Sequence, residues 1–271
     1  MDLEEKRQRL IDLLRSFERV VVAFSGGVDS TLVAALAREA LGERAEAVTG
    51  VSPSVPARER AEAERLAREI GIAHRWIETG ELARPEYVAN TALRCFHCKD
   101  ELYGLLRRLV AESNGAVVVD GTNADDLTDW RPGREAARQH GVRSPLAEVG
   151  VTKAEVRELA RRMGLSNWDK PAMACLASRI PHGTPVTVET LHRVDEAEEG
   201  LRALGFRQLR VRHHGDIARL ELDEEGFALL ADPELRAKAV AAVRRAGYRF
   251  VTLDLEGYRS GSLNPPPARP G

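Results

Sequence analysis

The chain has 271 residues, 43% of them apolar and 30% charged, with a formal net charge of −2. This length supports a full core in one large or two modest domains, and the balanced charge excludes an overall basic field that would advertise a nucleic-acid partner. The N-terminus carries no apolar signal-peptide core and no stretch is long enough to cross a bilayer, so the expectation is a cytoplasmic protein without a membrane partner.

Apolar side chains at Leu10, Ile11, Leu13, Leu14 and Phe17 predict an amphipathic helix over 3–17, leading into a strand at 20–24. The strand runs straight into Ser25-Gly26-Gly27-Val28-Asp29-Ser30, and a helix-like run from Thr31 to residue 41 follows. A strand, a glycine turn and a helix N-terminus together make an anion cradle. The glycines let backbone N–H groups approach phosphate oxygens, and the helix dipole favours negative charge there. Ser25, Ser30 and Thr31 add hydroxyl donors. Asp29 fits such a site when a Mg²⁺ ion bridges it to the phosphates. The motif is not a P-loop, which requires a Lys after its second Gly. A bare Gly-Gly turn with a Ser or Asp cap is the plainer alternative.

Further along, the pattern predicts a strand at 45–51, a helix at 57–70 ended by Gly71, a short strand at 73–77 and a helix at 98–113. The apolar run 116–119 then makes another strand. Such alternation indicates an α/β fold, a parallel sheet covered by helices on both faces. Ligands on such sheets gather at the carboxyl ends of strands, where Ser25 and Asp120 both fall. Within residues 120–126, Gly121, Asn123 and Asp125 are candidates to hold a nucleotide ribose, Mg²⁺ or a second substrate; an Asn/Asp turn capping a helix is the alternative. Arg131, before Pro132 and Gly133, can fix a carboxylate or phosphate by two hydrogen bonds, or simply be a solvated surface arginine.

A capping box of Thr152 and Glu155 opens a helix over 152–163, which Gly164 stops. Residues 166–186 are irregular and rich in reactive side chains. From Thr187 a helix to about 204, strands at 208–212 and 217–222, a helix at 233–246 and a strand at 249–253 form a small α-β-β-α-β unit. The expected organisation is therefore a nucleotide domain at 1–165, a connecting segment at 166–186, a small α+β domain at 187–255 and a tail at 256–271.

The three cysteines are Cys95 and Cys98, in a C-x-x-C pair, and Cys175. An odd set in a reducing compartment points to metal or catalysis before disulfides. Zinc would have to recruit His97 or another histidine as a fourth ligand. A [4Fe–4S] cluster on three cysteines keeps one iron open. A redox pair with an unrelated Cys175, or three unconnected thiols, also fits. Arg210 and Arg212 alternate along one strand and share a face, which invites a phosphate or meets solvent. Glu198 and Glu221 are charged residues able to support them.

Residues 25–30 resemble the PP-loop of the ATP pyrophosphatases, which implies adenylylation rather than phosphoryl transfer. Several further motifs extend the likeness. They are Gly121-Thr122-Asn123-Ala124-Asp125-Asp126, Arg131-Pro132-Gly133, Lys170-Pro171-Ala172 through Cys175 to Ser178-Arg179, and Gly257-Tyr258-Arg259-Ser260-Gly261-Ser262-Leu263-Asn264. Together these resemble the LarE family over nearly the whole chain. The resemblance implies an ATP- and Mg²⁺-dependent sulfur insertion into pyridinium-3,5-biscarboxylic acid mononucleotide, in nickel-pincer nucleotide biosynthesis. It implies Asp29 and Cys175 as catalytic residues, with Arg131, Arg179, Glu198, Arg210 and Arg212 binding substrate. One branch of the family sacrifices the sulfur of the cysteine matching Cys175. In the other, three cysteines hold a [4Fe–4S] cluster that passes on a sulfide, and Cys95 and Cys98 place this chain there. The expected partners are a sulfide source and other nickel-pincer biosynthesis proteins, with a homo-oligomer, a hexamer among the options. A PP-loop tRNA thiolase and a non-catalytic nucleotide and metal sensor are the alternative readings.

Overall fold

The central strand of the molecule is apolar on both faces because both faces are covered. In the computed structural model, which describes residues 1–111, 115–128, 131–171 and 174–259, the chain divides into two compact units. One comprises 1–87 and 93–173, the other 88–92 and the chain from 174 onward. The first runs α1 (Leu3–Ser16), β1 (Val20–Ala23), α2 (Val28–Leu41), β2 (Ala45–Val51), α3 (Ala57–Ile70) and β3 (Ala73–Glu78). It continues with α4 (Pro85–Val88, ending at the division), α5 (Arg94–Ala111), β4 (Val117–Val119), α6 (Pro132–Gln139), α7 (Pro145–Val149) and α8 (Lys153–Arg162).

Its sheet is parallel throughout, in the order β3-β2-β1-β4, with Val20 opposite both Ala45 and Val117. Successive β1 side chains face opposite ways. Val20 and Val22 join Leu10, Leu14, Leu32 and Leu36 of α1 and α2 in one core. Val21 and Ala23 join Tyr103, Leu106 and Ala136 of α5 and α6 in another. Helices therefore cover both faces, and every strand delivers its carboxyl end to one edge.

The second unit continues with α9 (Val188–Arg202), β5 (Leu209–His214), β6 (Ile217–Leu222), α10 (Glu224–Leu230), α11 (Pro233–Arg245) and β7 (Phe250–Leu253). β5 pairs antiparallel with β6, and β6 parallel with β7. Leu209, Val211, Leu220 and Leu222 face Ala197, Leu201 and Val243 in its core. The stretch 88–92 joins this unit through Asn90, whose Nδ2 donates to the carbonyls of Pro181 and Thr184, both at 2.8 Å. Residues 166–186 are thus shared out, 166–173 with the first unit and 174–186 with the second.

Two kinds of element escape the sequence pattern. α5 starts at Arg94 rather than 98, so the C-x-x-C pair forms its first turn; Cys, Phe and His there give no apolar period to read. α6, α7 and α10 are short helices set by local caps, Pro at the start of the first two and Asp223 at the start of the third. The expected helix end at 112–113, Ala172 and Met173, and the motif from Ser260 to Asn264 lie outside the described residues. Among the described residues no helix is long and apolar enough to cross a membrane.

Candidate active site

β1 ends at Ala23, two residues before Ser25, and α2 begins at Val28, directly after the two glycines. Gly27 is the N-cap of α2 and provides no side-chain cap, so the first N–H groups of the helix keep no side-chain acceptor. Gly26 has φ +71°, and a Cβ there would lie 3.2 Å from Ala63 Cα on α3, so conformation and space both require glycine. Ser30 Oγ donates to the Gly27 carbonyl at 3.1 Å, accepts from the Ser25 N–H at 3.3 Å, and stands 3.2 Å from Ser25 Oγ. Thr31 is fully buried, and its hydroxyl accepts from Asn167 Nδ2 at 3.0 Å. It braces the loop from within. Asp29 is held on both oxygens: Asn123 Nδ2 donates to Oδ1 at 3.0 Å, and Lys153 Nζ pairs with Oδ2.

The turn after β4 organises the same edge. Gly121 lies so close to α2 that an added Cβ would sit 2.6 Å from Ser30 N. Asp120, 6% exposed, accepts from Thr122 N at 3.0 Å, Thr122 Oγ1 at 2.9 Å, Ser144 Oγ at 2.8 Å and Tyr103 Oη at 3.1 Å. Burial, reinforced by Asp120, pushes the Tyr103 phenol well above its ordinary range. Asn123 Oδ1 accepts from the Asp125 N–H at 3.0 Å, and Asp125 Oδ2 accepts from the Lys153 N–H at 2.8 Å. Asn123 and Asp125 therefore orient Asp29 and Lys153. Arg131 pairs with Asp126 at 2.7 Å.

Lys153 is a site residue that the sequence reading misses; its signal was its place directly after the Thr152 cap, at the ligand edge. Lys6, Lys170 and Lys238 are likewise paired, with Glu155, Glu59 and Glu234. Lys99 has no carboxylate partner among the described residues. It lies over the Tyr103 ring, 5.4 Å from its centroid, beside Cys98.

Cys95 is exposed and Cys98 half-buried, and neither is in a disulfide. A spacing of three on one helix puts them on one face. Their helix is braced from the side: Arg84 Nη1 donates to the His97 carbonyl at 3.3 Å and to Asp100 at 2.8 Å, and His140 Nε2 meets Asp100 at 2.8 Å. Burial pushes the Asp100 carboxyl up, but His140 and Arg84 outweigh it and hold it below the usual range. Among the described residues, no three His, Cys, Asp or Glu side chains form a metal-ligating group.

The second unit gathers Cys175, Arg179, Glu198, Arg210 and Arg212. Cys175 is a half-buried free thiol at the N-cap of the tight turn Leu176–Arg179. Its carbonyl accepts from Ser178 N at 3.0 Å, Ser178 Oγ at 2.8 Å and Arg179 Nη1 at 3.1 Å. Arg179 also donates to the Ala174 carbonyl at 2.7 Å and grips Glu198 with Nε and Nη2 at 2.9 and 3.1 Å. Glu198, 3% exposed, takes the Val211 N–H at 3.1 Å as well. Burial opposes its charge, but Arg179 and Arg202 hold its carboxyl below the ordinary range. Arg212 donates to the Ser178 carbonyl at 2.8 Å and to Glu221 at 2.7 Å, both side chains fully buried.

Arg179, Glu198 and Arg212 thus fix the backbone around Cys175. Arg210 differs. It is 7% exposed, stacks on the Tyr258 ring at 4.9 Å and has no carboxylate partner among the described residues. Burial, with Arg179 and Arg212 nearby, pushes its guanidinium below the usual arginine range despite Tyr258. A buried cation lacking a counter-charge is a receptor for an anion.

Comparison with known proteins bears on both units. A family model described as asparagine synthase matches residues 8–129, the stretch that holds the glycine loop and the 120–126 turn. An uncharacterised protein of Synechocystis sp. is 46% identical over 262 residues, spanning 97% of this chain and 98% of that one. The pyridinium-3,5-bisthiocarboxylic acid mononucleotide synthase of Lactiplantibacillus plantarum is 38% identical over 265 residues, spanning 97% and 95%. A tRNA-specific 2-thiouridylase, MnmA, of Rhizorhabdus wittichii is 27% identical over 256 residues, spanning 80% and 67%. A likeness of 38% that spans 97% of this chain shows that it belongs to the LarE family of PP-loop, ATP-dependent sulfurtransferases.

Proposed function

We propose that the chain adenylylates the carboxylates of pyridinium-3,5-biscarboxylic acid mononucleotide and converts them to thiocarboxylates, in nickel-pincer nucleotide biosynthesis. The observation that carries this reading is Arg210, a buried guanidinium awaiting an anion in the unit that also fixes Cys175. A mononucleotide phosphate supplies that anion. A net charge of −2 and the absence of a basic arm disfavour the tRNA reading.

A carboxylate resists nucleophiles because it is negative and its oxygen leaves badly. Attack of a carboxylate oxygen on the α-phosphorus of ATP forms an O–P bond while the bond to the β-phosphate oxygen breaks, and pyrophosphate leaves with the electron pair. Residues 25–31, with Gly121, would cradle the pyrophosphate; Asp29 would hold Mg²⁺, which would neutralise phosphate charge, and Lys153, its present partner, would meet phosphate oxygen. A sulfur nucleophile then attacks the activated carbonyl and AMP departs. Residues 1–165 do the activation; 187–255, through Arg210 supported by Arg212, hold the substrate phosphate. Arg179 and Glu198 set the Cys175 loop, and Arg131 is available for the second carboxylate.

Cys95, Cys98 and Cys175 are three cysteines outside any disulfide, which fits a [4Fe–4S] cluster by donor chemistry. Such a cluster supplies an open iron able to carry sulfide from an external source. The working form we propose is a cytoplasmic homo-oligomer, a hexamer among the options, that meets other proteins of the same pathway. The test is anaerobic reconstitution with iron and sulfide, then turnover with ATP and the biscarboxylic mononucleotide. Several thiolations per chain with Cys175 intact support the reading. One thiolation that leaves the chain lighter by one H₂S, or undiminished multiple turnover in Cys95→Ala, overturns the cluster part.

A further inference from the structure

Asn167 is a buried amide that the chemistry above does not use. It is 3% exposed and stands in the irregular stretch after α8. Its Nδ2 donates to the Gly26 carbonyl at 3.2 Å and to the Thr31 hydroxyl at 3.0 Å. Its Oδ1 is buried without a hydrogen-bond partner. An amide acceptor left dry is unfavourable, and an apolar side chain would avoid it. What Asn167 gives in return is the two donated bonds, and both end on the glycine loop.

Two adjacent glycines can adopt many backbone conformations, so nothing intrinsic to Gly26-Gly27 fixes the peptide between them. That peptide is planar and trans, so its carbonyl and its N–H point in opposite directions. Fastening the Gly26 carbonyl to Asn167 turns the Gly27 N–H the other way, toward Ser25 Oγ at 3.3 Å. The reversed peptide would aim a carbonyl where an anion has to sit. Asn167 is itself held from both sides on α3. Ser166 donates to Glu69 through N at 2.9 Å and Oγ at 2.6 Å, and Lys170 pairs with Glu59 at 2.9 Å. The same helix carries Ala63, against which Gly26 packs.

We infer that Asn167 is the positioning residue that locks the Gly26–Gly27 peptide in its anion-accepting orientation, so that the loop meets pyrophosphate preorganised. This rests on reading residues 25–31 as the pyrophosphate cradle. Asn167→Leu keeps the branched shape and heavy-atom count, adds no charge and removes both donated bonds.

The experiment is calorimetric titration of the full chain with inorganic pyrophosphate plus Mg²⁺ and, separately, with adenosine. In Asn167→Leu the pyrophosphate affinity falls at least tenfold while adenosine affinity stays within twofold. A merely structural role would move both together. Should the leucine variant fail to fold, Asn167→Ser carries the same expectation. Pyrophosphate affinity within twofold of wild type in a cooperatively melting variant overturns the inference alone. Wild type that binds neither pyrophosphate nor ATP overturns the cradle reading, and the inference with it.

Discussion

Replacing Glu198 by Gln removes one charge from the most heavily bonded cluster of the second unit and leaves its shape nearly intact. Arg179, whose side chain is 6% exposed, then loses its counter-charge while remaining buried. Breaking a buried ion pair from one side costs about 3–5 kcal/mol. The lower end applies here, because Arg179 keeps the carbonyls of Ala174 and Cys175 and the Ser178 hydroxyl. A loss of about 3 kcal/mol shifts melting by roughly 12–24 °C in a domain of 60–100 residues. None of the three tryptophans, Trp76, Trp130 and Trp168, belongs to the second unit. Urea unfolding of Glu198→Gln should therefore show an early far-UV circular dichroism transition that tryptophan fluorescence does not follow. The double variant Arg179→Met with Glu198→Leu should lose less than the single one, since it leaves no orphaned charge. The same cluster sets an acid limit. The Glu198 carboxyl is held below its ordinary 4.5, so its contribution is full above that value and disappears as pH falls through the lower folded one. A cost below about 1 kcal/mol for Glu198→Gln, or a double variant no more stable than the single, would refute the reasoning.

Four further outcomes are expected. Gly121→Ala drives a methyl group into the α2 backbone at Ser30 and should destabilise the first unit by about 1–3 kcal/mol, weakening ATP binding with it; calorimetry reads both, and unchanged ATP affinity counts against the close approach. Arg210→Met removes an uncompensated buried cation, so the ligand-free protein should melt higher, while the stabilisation that phosphate gives wild type, about 2.7 kcal/mol at a hundred times Kd, should vanish; a variant that still responds to phosphate removes Arg210 from the anion site. Lys153→Met should cut pyrophosphate release from ATP about a hundredfold with the fold unchanged, and full activity would exclude the role given to it. Burial, with Arg193 and His214, holds His213 below its ordinary 6.5, so the unfolded chain takes up the proton first and stability of the second unit falls as pH drops below about 6.5. His213→Asn should flatten that slope, and an equally steep slope in the variant would show that another group carries it.

The geometry of the loop was legible because it is local. A strand, two glycines and a helix start are contiguous, and their geometry follows from backbone sterics and the helix dipole without help from the rest of the chain. The same holds for the alternating sheet, whose apolar runs and glycine stops lie in order along the sequence. The first turn of α5 was not legible, because Cys95, Phe96 and His97 carry no helical period. The roles of the charged residues were legible least. Arg179, Arg210 and Arg212 look alike in a sequence, and strand alternation gives Arg210 and Arg212 one face without saying what each meets there.

The sequence by itself determined the local features: six consecutive residues that join a strand to a helix start through two glycines, and a C-x-x-C pair with a third cysteine far along the chain. Only the tertiary structure decided which charges are already neutralised. Glu221 lies opposite Arg210 across the strand pair yet bonds Arg212, and Glu198 reaches Arg179 from another helix. Asp29 meets a lysine 124 residues away. Such pairings depend on distances between elements remote in the chain, which no local pattern encodes. Among the described residues they leave Arg210 a buried guanidinium without a carboxylate partner.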